Sequence, residues 1–103
     1  MERVKYFKNY LKIAKEIKKI VRKFVDAKIF VFGSVVRGDF SMGLSDIDVA
    51  IASEKFSKRE LKLKIYDMLF EKYFESPFEF HFLTPKQWKF YKRFIGKDFI
   101  EVK

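Results

Sequence analysis

The sequence predicts an α/β domain, a class in which helices and strands alternate along the chain, and three observations support it. An amphipathic helical pattern opens the chain, three short strand patterns follow it, and helix signals lie between and after the strands. The 103 residues, 49% of them hydrophobic and 36% charged, suffice for one packed core with a hydrated surface. We therefore expect a single domain over residues 1–103.

The first predicted element is a long helix from about Glu2 to Val25. Apolar residues recur in it three or four positions apart, as the buried face of an amphipathic helix requires. These residues are Phe7, Tyr10, Leu11, Ala14, Ile17, Val21 and Phe24. Lysines fill the opposite face; hydration is the usual role of such a face, and binding to an acidic partner or RNA is the alternative.

The first strand is predicted at Ile29–Phe32, because a continuous apolar run indicates burial on both faces of a sheet. Gly33 ends the run. Ser34–Arg37 is expected to form a short helix that Gly38 stops, and residues 39–45 have the glycine, serine and aspartate content of a loop.

The second strand is predicted at Asp46–Ala52, where apolar and other residues alternate. Two isoleucines and a valine fall on one face of this strand. Asp46 and Asp48 therefore fall together on the opposite face.

The next helix is predicted to begin at the capping-box pattern Ser57–Glu60 and to fade near Phe74. Alternation resumes at Phe78–Leu83, which predicts a third strand. Its three phenylalanines face the core, so Glu79 and His81 share the other face.

The final helix is predicted to begin at Thr84, with Pro85 at the first helical position and Gln87 able to close a capping box. Its aromatic residues suit a core at this spacing, and an interface near the C-terminus is the alternative. They are Trp88, Phe90, Tyr91 and Phe94. Residues 99–103 form either a loose tail or an added strand.

The composition excludes several classes of function. The chain has no cysteine, so it contains no disulfide, thiolate metal site or cysteine nucleophile. No apolar run approaches the roughly 20 residues of a membrane span, and the charged start of the chain differs from a signal peptide, so we expect a cytoplasmic protein without a membrane partner. The net charge of +9 attracts anions such as nucleotide phosphates, nucleic acid or an acidic protein.

Asp46 and Asp48 are the first candidate functional residues. Aspartate is depleted in strands, and carboxylates at positions i and i+2 lie about 7 Å apart, where they repel each other when ionised. A divalent cation turns this repulsion into binding, since Mg²⁺ is commonly held by one or two carboxylates together with substrate phosphates. Glu79, on another strand, is the best candidate for a third carboxylate in a two-metal site.

Gly33 and Ser34 are candidate phosphate-binding residues. Glycine permits the close backbone approach that a phosphate needs, and Ser34 offers a hydroxyl and free N–H groups at the start of the short helix. Arg37, one turn further on, is a candidate cationic contact to the same phosphates or to the aspartates.

Each candidate also has an ordinary structural explanation. A Gly-Ser pair after a strand is common in turns, and Asp46 could simply end a loop. Glu79 could be a hydrated residue of an edge strand. His81 could touch the nucleotide or take the proton of an acceptor hydroxyl, but a passive, hydrogen-bonded histidine is the commoner case.

Two segments together resemble a known family. Residues 33–38, GSVVRG, and residues 44–49, LSDIDV, resemble the signature of the polymerase-beta-like nucleotidyltransferases, in particular their minimal nucleotidyltransferase branch. The resemblance implies a small mixed β-sheet flanked by helices, two Mg²⁺ ions and ATP as nucleotide donor, with pyrophosphate leaving.

The family's functional residues carry over to this sequence position by position. Gly33 and Ser34 match the turn that contacts the triphosphate. Asp46 and Asp48 match the two metal-binding acids of the motif, and Glu79 matches the third carboxylate. The resemblance therefore implies the same three acids as the alternation does.

The resemblance also implies a partner. Members of the minimal branch are often paired with a small helical ribonuclease, a HEPN toxin, and act as its antitoxin by adenylylating one of its tyrosines. We therefore expect AMP transfer to a HEPN-family toxin, as in a type VII toxin–antitoxin pair, and a complex with that protein. A protein- or RNA-binding antitoxin module without chemistry, and nucleotidyl transfer to RNA or a small molecule, remain alternatives.

Overall fold

The computed structural model describes residues 2–103 and has the predicted α and β class. The helices are α1 (Glu2–Lys8), α2 (Tyr10–Val21), α3 (Ser34–Arg37), α4 (Arg59–Lys72) and α5 (Pro85–Ile95). The strands are β1 (Lys28–Phe32), β2 (Ile47–Ala52), β3 (Phe78–Leu83) and β4 (Phe99–Glu101). A 3-10 turn at Glu54–Ser57 precedes α4. Within residues 2–103, no helix has the length and apolar character needed to cross a membrane.

The four strands form one mixed sheet in the order β3-β2-β1-β4. β1 pairs antiparallel with both β2 and β4, whereas β2 and β3 run parallel. A parallel pair needs a crossover connection, and α4 supplies it. The mixed sheet flanked by helices is therefore confirmed.

The main core lies on the sheet face covered by α1, α2 and α4. Ile47, Val49 and Ile51 are fully buried there, on the face that the alternation of β2 predicted. Ile17 of α2 and Ile65 of α4 pack into the same cluster. The apolar face of β2 is thus committed to the core, which leaves its other face for Asp48.

The opposite face of the sheet is covered by α5. Trp88 of α5 stacks on Phe30 of β1, with ring centroids 4.3 Å apart, and both side chains are buried. Trp88 was therefore rightly assigned to a core, whereas Phe90 and Phe94 of the same helix are exposed. The face that carries Asp48 is thus only partly covered.

The predicted N-terminal helix is in fact two helices that end earlier than expected. The break is at Asn9, whose side-chain Nδ2 donates to the carbonyl oxygen of Lys5 at 2.9 Å. Asparagine competes with the helical backbone for hydrogen bonds, which explains the interruption. The chain leaves the helix after Val21, and Leu11 and Phe24 of the predicted apolar stripe are exposed.

The two predicted capping boxes had different outcomes. At Thr84 the box is complete, because Thr84 Oγ1 accepts from the N–H of Gln87 and Gln87 Oε1 accepts from the N–H of Thr84. The box at Ser57 is absent, because Ser57 belongs to the 3-10 turn and Lys58 occupies the cap position of α4. The tail resolves into β4, which pairs with β1.

Candidate active site

The turn between β1 and α3 has the predicted form. Gly33 has φ 89° and ψ −153°, a conformation that favours glycine, and it caps a short helix that begins at Ser34. The carbonyl oxygen of Gly33 accepts from the N–H groups of Val36 and Arg37 at 3.1 and 3.2 Å. Ser34 remains partly exposed at the start of this turn.

Gly33 also lies against the carboxylate of Asp48. A Cβ atom built on Gly33 would stand 2.7 Å from Asp48 Oδ2, closer than non-bonded atoms can approach. The absent side chain thus leaves room for an acidic group. Close approach at this glycine was predicted from the sequence, but for a phosphate rather than for Asp48.

The parallel pairing of β2 and β3 brings the candidate acids together. Asp48 is paired in register with Glu79, and Ala50 with His81. Oxygen atoms of Asp48 and Glu79 and a ring nitrogen of His81 all lie within 4.8 Å of one another. This cluster is of a size that one metal ion could bridge.

Asp46 lies at the margin of the cluster. It is exposed and precedes β2 by one residue, so the predicted strand began one position too early. Its side chain is nevertheless close enough to share a hydrogen bond with the carboxyl of Glu79. The three predicted acids therefore adjoin one another, with Glu79 between the two aspartates.

The environment of Glu79 disfavours its charged form. Partial burial raises the pKa of Glu79 most, the charge of Asp48 raises it further, and Asp46 adds to the effect, while His81 lowers it. This crowding of carboxylates is relieved when a cation binds among them.

His81 is the member of the cluster that sequence reasoning undervalued. Its Nε2 atom lies 3.1 Å from Asp48 Oδ1, where it donates a hydrogen bond, and 3.7 Å from Glu79 Oε1. Phe32 and Tyr91 pack against the ring, with centroids 5.2 and 5.8 Å away. Its position on the strand face of Glu79 was the available signal, but the bond to Asp48 depends on the pairing of two strands.

Arg37 is directed elsewhere. Its Nε atom pairs with Asp39 Oδ2 at 3.2 Å, and both side chains are largely exposed. Among the described residues this is its one ion pair, so the predicted contact with Asp46 or Asp48 is not made. An exposed pair of this kind is weak, which leaves Arg37 able to turn towards an anion.

Comparison with known proteins identifies the family. The sequence profile of the nucleotidyltransferase domain matches residues 12–102. The chain belongs to this family. The nucleotidyltransferase domain is 53% identical to a candidate nucleotidyltransferase of known crystal structure, with a TM-score of 0.76 over 86% of this chain and 96% of that one. No curated protein matches the chain.

A more distant crystal structure shares the fold of this nucleotidyltransferase domain. It is that of a candidate nucleotidyltransferase from Sulfolobus solfataricus, 20% identical, with a TM-score of 0.62 over 98% of this chain and 86% of that one. The fold therefore extends to a protein with little sequence in common.

The donor set of this nucleotidyltransferase domain fits a hard divalent cation, and the family is typically metal-dependent. Carboxylate oxygens are the ligands that such ions prefer, and Asp48 and Glu79 supply them at one spot. The hydrogen bond from His81 to Asp48 fixes the carboxylate, as groups behind metal ligands commonly do.

Proposed function

We propose that this nucleotidyltransferase domain transfers AMP from ATP to a tyrosine hydroxyl of a HEPN-type ribonuclease and thereby acts as the antitoxin of that toxin. Membership of the family and the minimal nucleotidyltransferase signature at residues 33–38 and 44–49 support the proposal. The single observation on which the chemistry rests is the meeting of Asp48 and Glu79, with Asp46 alongside, next to the turn at Gly33.

In the proposed reaction the acceptor oxygen attacks the α-phosphorus of ATP in line with the leaving group. The new oxygen–phosphorus bond forms as the bond between the α-phosphorus and the bridging oxygen breaks, and pyrophosphate leaves with that electron pair. The hydroxyl proton passes to a carboxylate oxygen of Glu79, whose raised pKa makes it a better base than an ordinary glutamate.

Each site residue has a distinct task in this scheme. Asp46, Asp48 and Glu79 would hold two Mg²⁺ ions, which supply positive charge at the attacking and leaving oxygens. The N–H groups and hydroxyl of Ser34, behind Gly33, would hold the triphosphate, and Arg37 would leave Asp39 to neutralise it. His81 positions Asp48 through their hydrogen bond.

The test uses ATP labelled on its α-phosphate, Mg²⁺ and the toxin. Asp48→Asn keeps the shape of the side chain and removes its charge, so we expect labelling to fall by at least about 100-fold, the scale on which the loss of one preorganised electrostatic group acts. Asp39→Asn is the matched control, because Asp39 is exposed and pairs with Arg37 outside the cluster. It should retain labelling within about threefold.

Two results would point to other functions. Toxin neutralisation without ATP by the Asp46→Asn and Asp48→Asn variants would show a binding module without chemistry. Labelling of RNA or a small molecule in place of the toxin would keep the chemistry and change the acceptor. Undiminished labelling by Asp48→Asn would refute the assigned site.

A further inference from the structure

One long edge of the sheet is open at β3. The carbonyl oxygens of Pro77 and Leu83 accept from β2 N–H groups at 2.8 and 2.9 Å. Bonding alternates along a strand, so residues 77, 79, 81 and 83 bond to β2. The N–H and C=O groups of Phe80 and Phe82 therefore point away from the sheet, towards the open edge.

Exposed aromatic side chains flank this edge on the α4 side. Tyr66, Phe70 and Phe74 follow at intervals of four along the helix, with ring centroids 5.8 and 5.5 Å apart. Tyr66 also meets Phe82 of β3 at 6.0 Å, which fixes the row beside the strand. Phe74, at the end near Glu79, is 64% exposed.

A second pair of exposed aromatic side chains flanks the edge on the α5 side. Lys92 reaches Phe99 of β4, whereas Tyr91 meets His81 of β3, so the side of α5 that carries Tyr91 faces the open edge. Phe94 and Phe90 continue around the helix beyond Tyr91 and contact each other at 5.3 Å. Phe94 is 78% exposed.

We propose that the protein acceptor binds by adding a strand to the open edge of β3, with its apolar side chains against these two aromatic groups. Six of the exposed large hydrophobic residues border this one strand. They are Leu63, Tyr66, Phe70, Phe74, Phe90 and Phe94. Strand addition satisfies the free backbone groups of β3, while pockets beside it select the side chains of the added segment. The inference rests on the proposed function, since it concerns how the acceptor reaches that site.

The charges at this edge select a partner over a second copy of the chain. The α5 sequence contains four basic residues and no acidic one. Antiparallel pairing of two β3 edges about a twofold axis would place α5 beside its own copy, so like charges would meet. An acidic, apolar segment of a different protein has the complementary charge, in keeping with the net charge of +9.

Strand addition also delivers a hydroxyl to the site. An added strand lies about 4.8 Å from β3, and its alternate side chains share the face that carries Glu79 and His81. A tyrosine on that face and level with Glu79 extends across β3 towards Asp48. Its oxygen then lies on the same side as the Gly33 turn.

The probe is a ten-residue acetylated peptide with valines on one face and glutamates flanking a central tyrosine on the other. Phe70→Lys and Phe94→Lys place a charge on each aromatic group, and Leu11→Lys makes the same change at an exposed leucine of α2. We expect the wild type and Leu11→Lys to bind the peptide alike in fluorescence anisotropy. The two phenylalanine variants should bind at least about tenfold more weakly, a loss of about 1.4 kcal/mol. Amide exchange at Phe80 and Phe82 should slow when the peptide binds.

Three outcomes would overturn the docking surface: no peptide binding by the wild type, equal binding by Phe70→Lys and Phe94→Lys, or a wild-type dimer that these substitutions dissociate. The proposed function fails separately. Peptide binding that Phe94→Lys weakens, without AMP transfer to the toxin, would retain the docking surface and refute the transfer. Equal AMP transfer to the toxin by wild type and Phe94→Lys would retain the transfer and refute the docking.

Discussion

At the scale of single residues, the contact between Gly33 and Asp48 has the clearest physical basis. The backbone of Gly33 needs a positive φ, and Asp48 Oδ2 occupies the space of a side chain. Gly38 has the same φ of 89°, but a Cβ there would meet nothing within 4 Å. The two glycines therefore separate backbone strain from displacement of the carboxylate.

We expect Gly33→Ala to lower the free energy of unfolding by about 1–3 kcal/mol, the usual cost of a strained backbone. Because the new methyl group pushes Asp48 away, Mg²⁺ affinity and AMP transfer should also fall, by about 10-fold or more. Gly38→Ala should show strain alone, with Mg²⁺ affinity unchanged. Urea unfolding and Mg²⁺ titration measure the two effects, and equal metal affinity in both variants would contradict this account.

The candidate acids could be predicted at this scale because alternation along a strand is a local property. Asp48 and Glu79 were placed on the correct faces from sequence alone, and the structure pairs them. The bond between His81 and Asp48 could not be foreseen, since it depends on the register between β2 and β3. That register is set by packing between elements far apart in the chain.

At the scale of elements, features formed by neighbouring residues were predictable and long-range ones were not. The capping box of α5 needs only Thr84 and Gln87, and both of its bonds are present. The helix break at Asn9 depends on a choice between competing local hydrogen bonds. The strand β4 forms only because β1 offers a free edge, which no local pattern reveals.

The junction of α2 and α4 should make stability depend on alkaline pH. Tyr73 follows α4, is buried, and donates a hydrogen bond to Glu16 of α2 at 3.1 Å. Burial first, and then the hydrogen bond and charge of Glu16, raise the pKa of Tyr73 well above its ordinary value of about 10. Its stabilising contribution is therefore complete below about pH 10 and is lost as the pH rises towards the folded-state pKa.

We expect Tyr73→Phe to lower the free energy of unfolding by about 1 kcal/mol at pH 7 through loss of the hydrogen bond. Between about pH 9 and 11 the variant should lose less stability than the wild type, because it has no hydroxyl to ionise on unfolding. Tyr66→Phe, at an exposed tyrosine of α4, should follow the wild-type slope. Urea unfolding across this range measures all three proteins, and parallel curves for Tyr73→Phe and the wild type would refute the linkage.

At the scale of the whole molecule, two cores share the same strands. Ile29 and Val31 of β1 pack into the main core, while Phe30 and Phe32 pack beneath α5 on the other face. β2 divides in the same way between Val49 and Ala50. Because neither core can dissolve without disturbing these strands, we expect the molecule to unfold in one cooperative step.

Trp88 is the one tryptophan of the chain and lies in the core beneath α5, so its fluorescence reports that face. Far-UV circular dichroism is dominated by the helices, most of which cover the other face. We expect the two signals to give coincident urea transitions. Val49→Ala, in the main core, should lower the free energy of unfolding by about 2 kcal/mol and shift both transitions equally. A fluorescence transition that precedes the dichroism change would instead show α5 detaching first, and would expose the acidic cluster to water before the rest of the fold is lost.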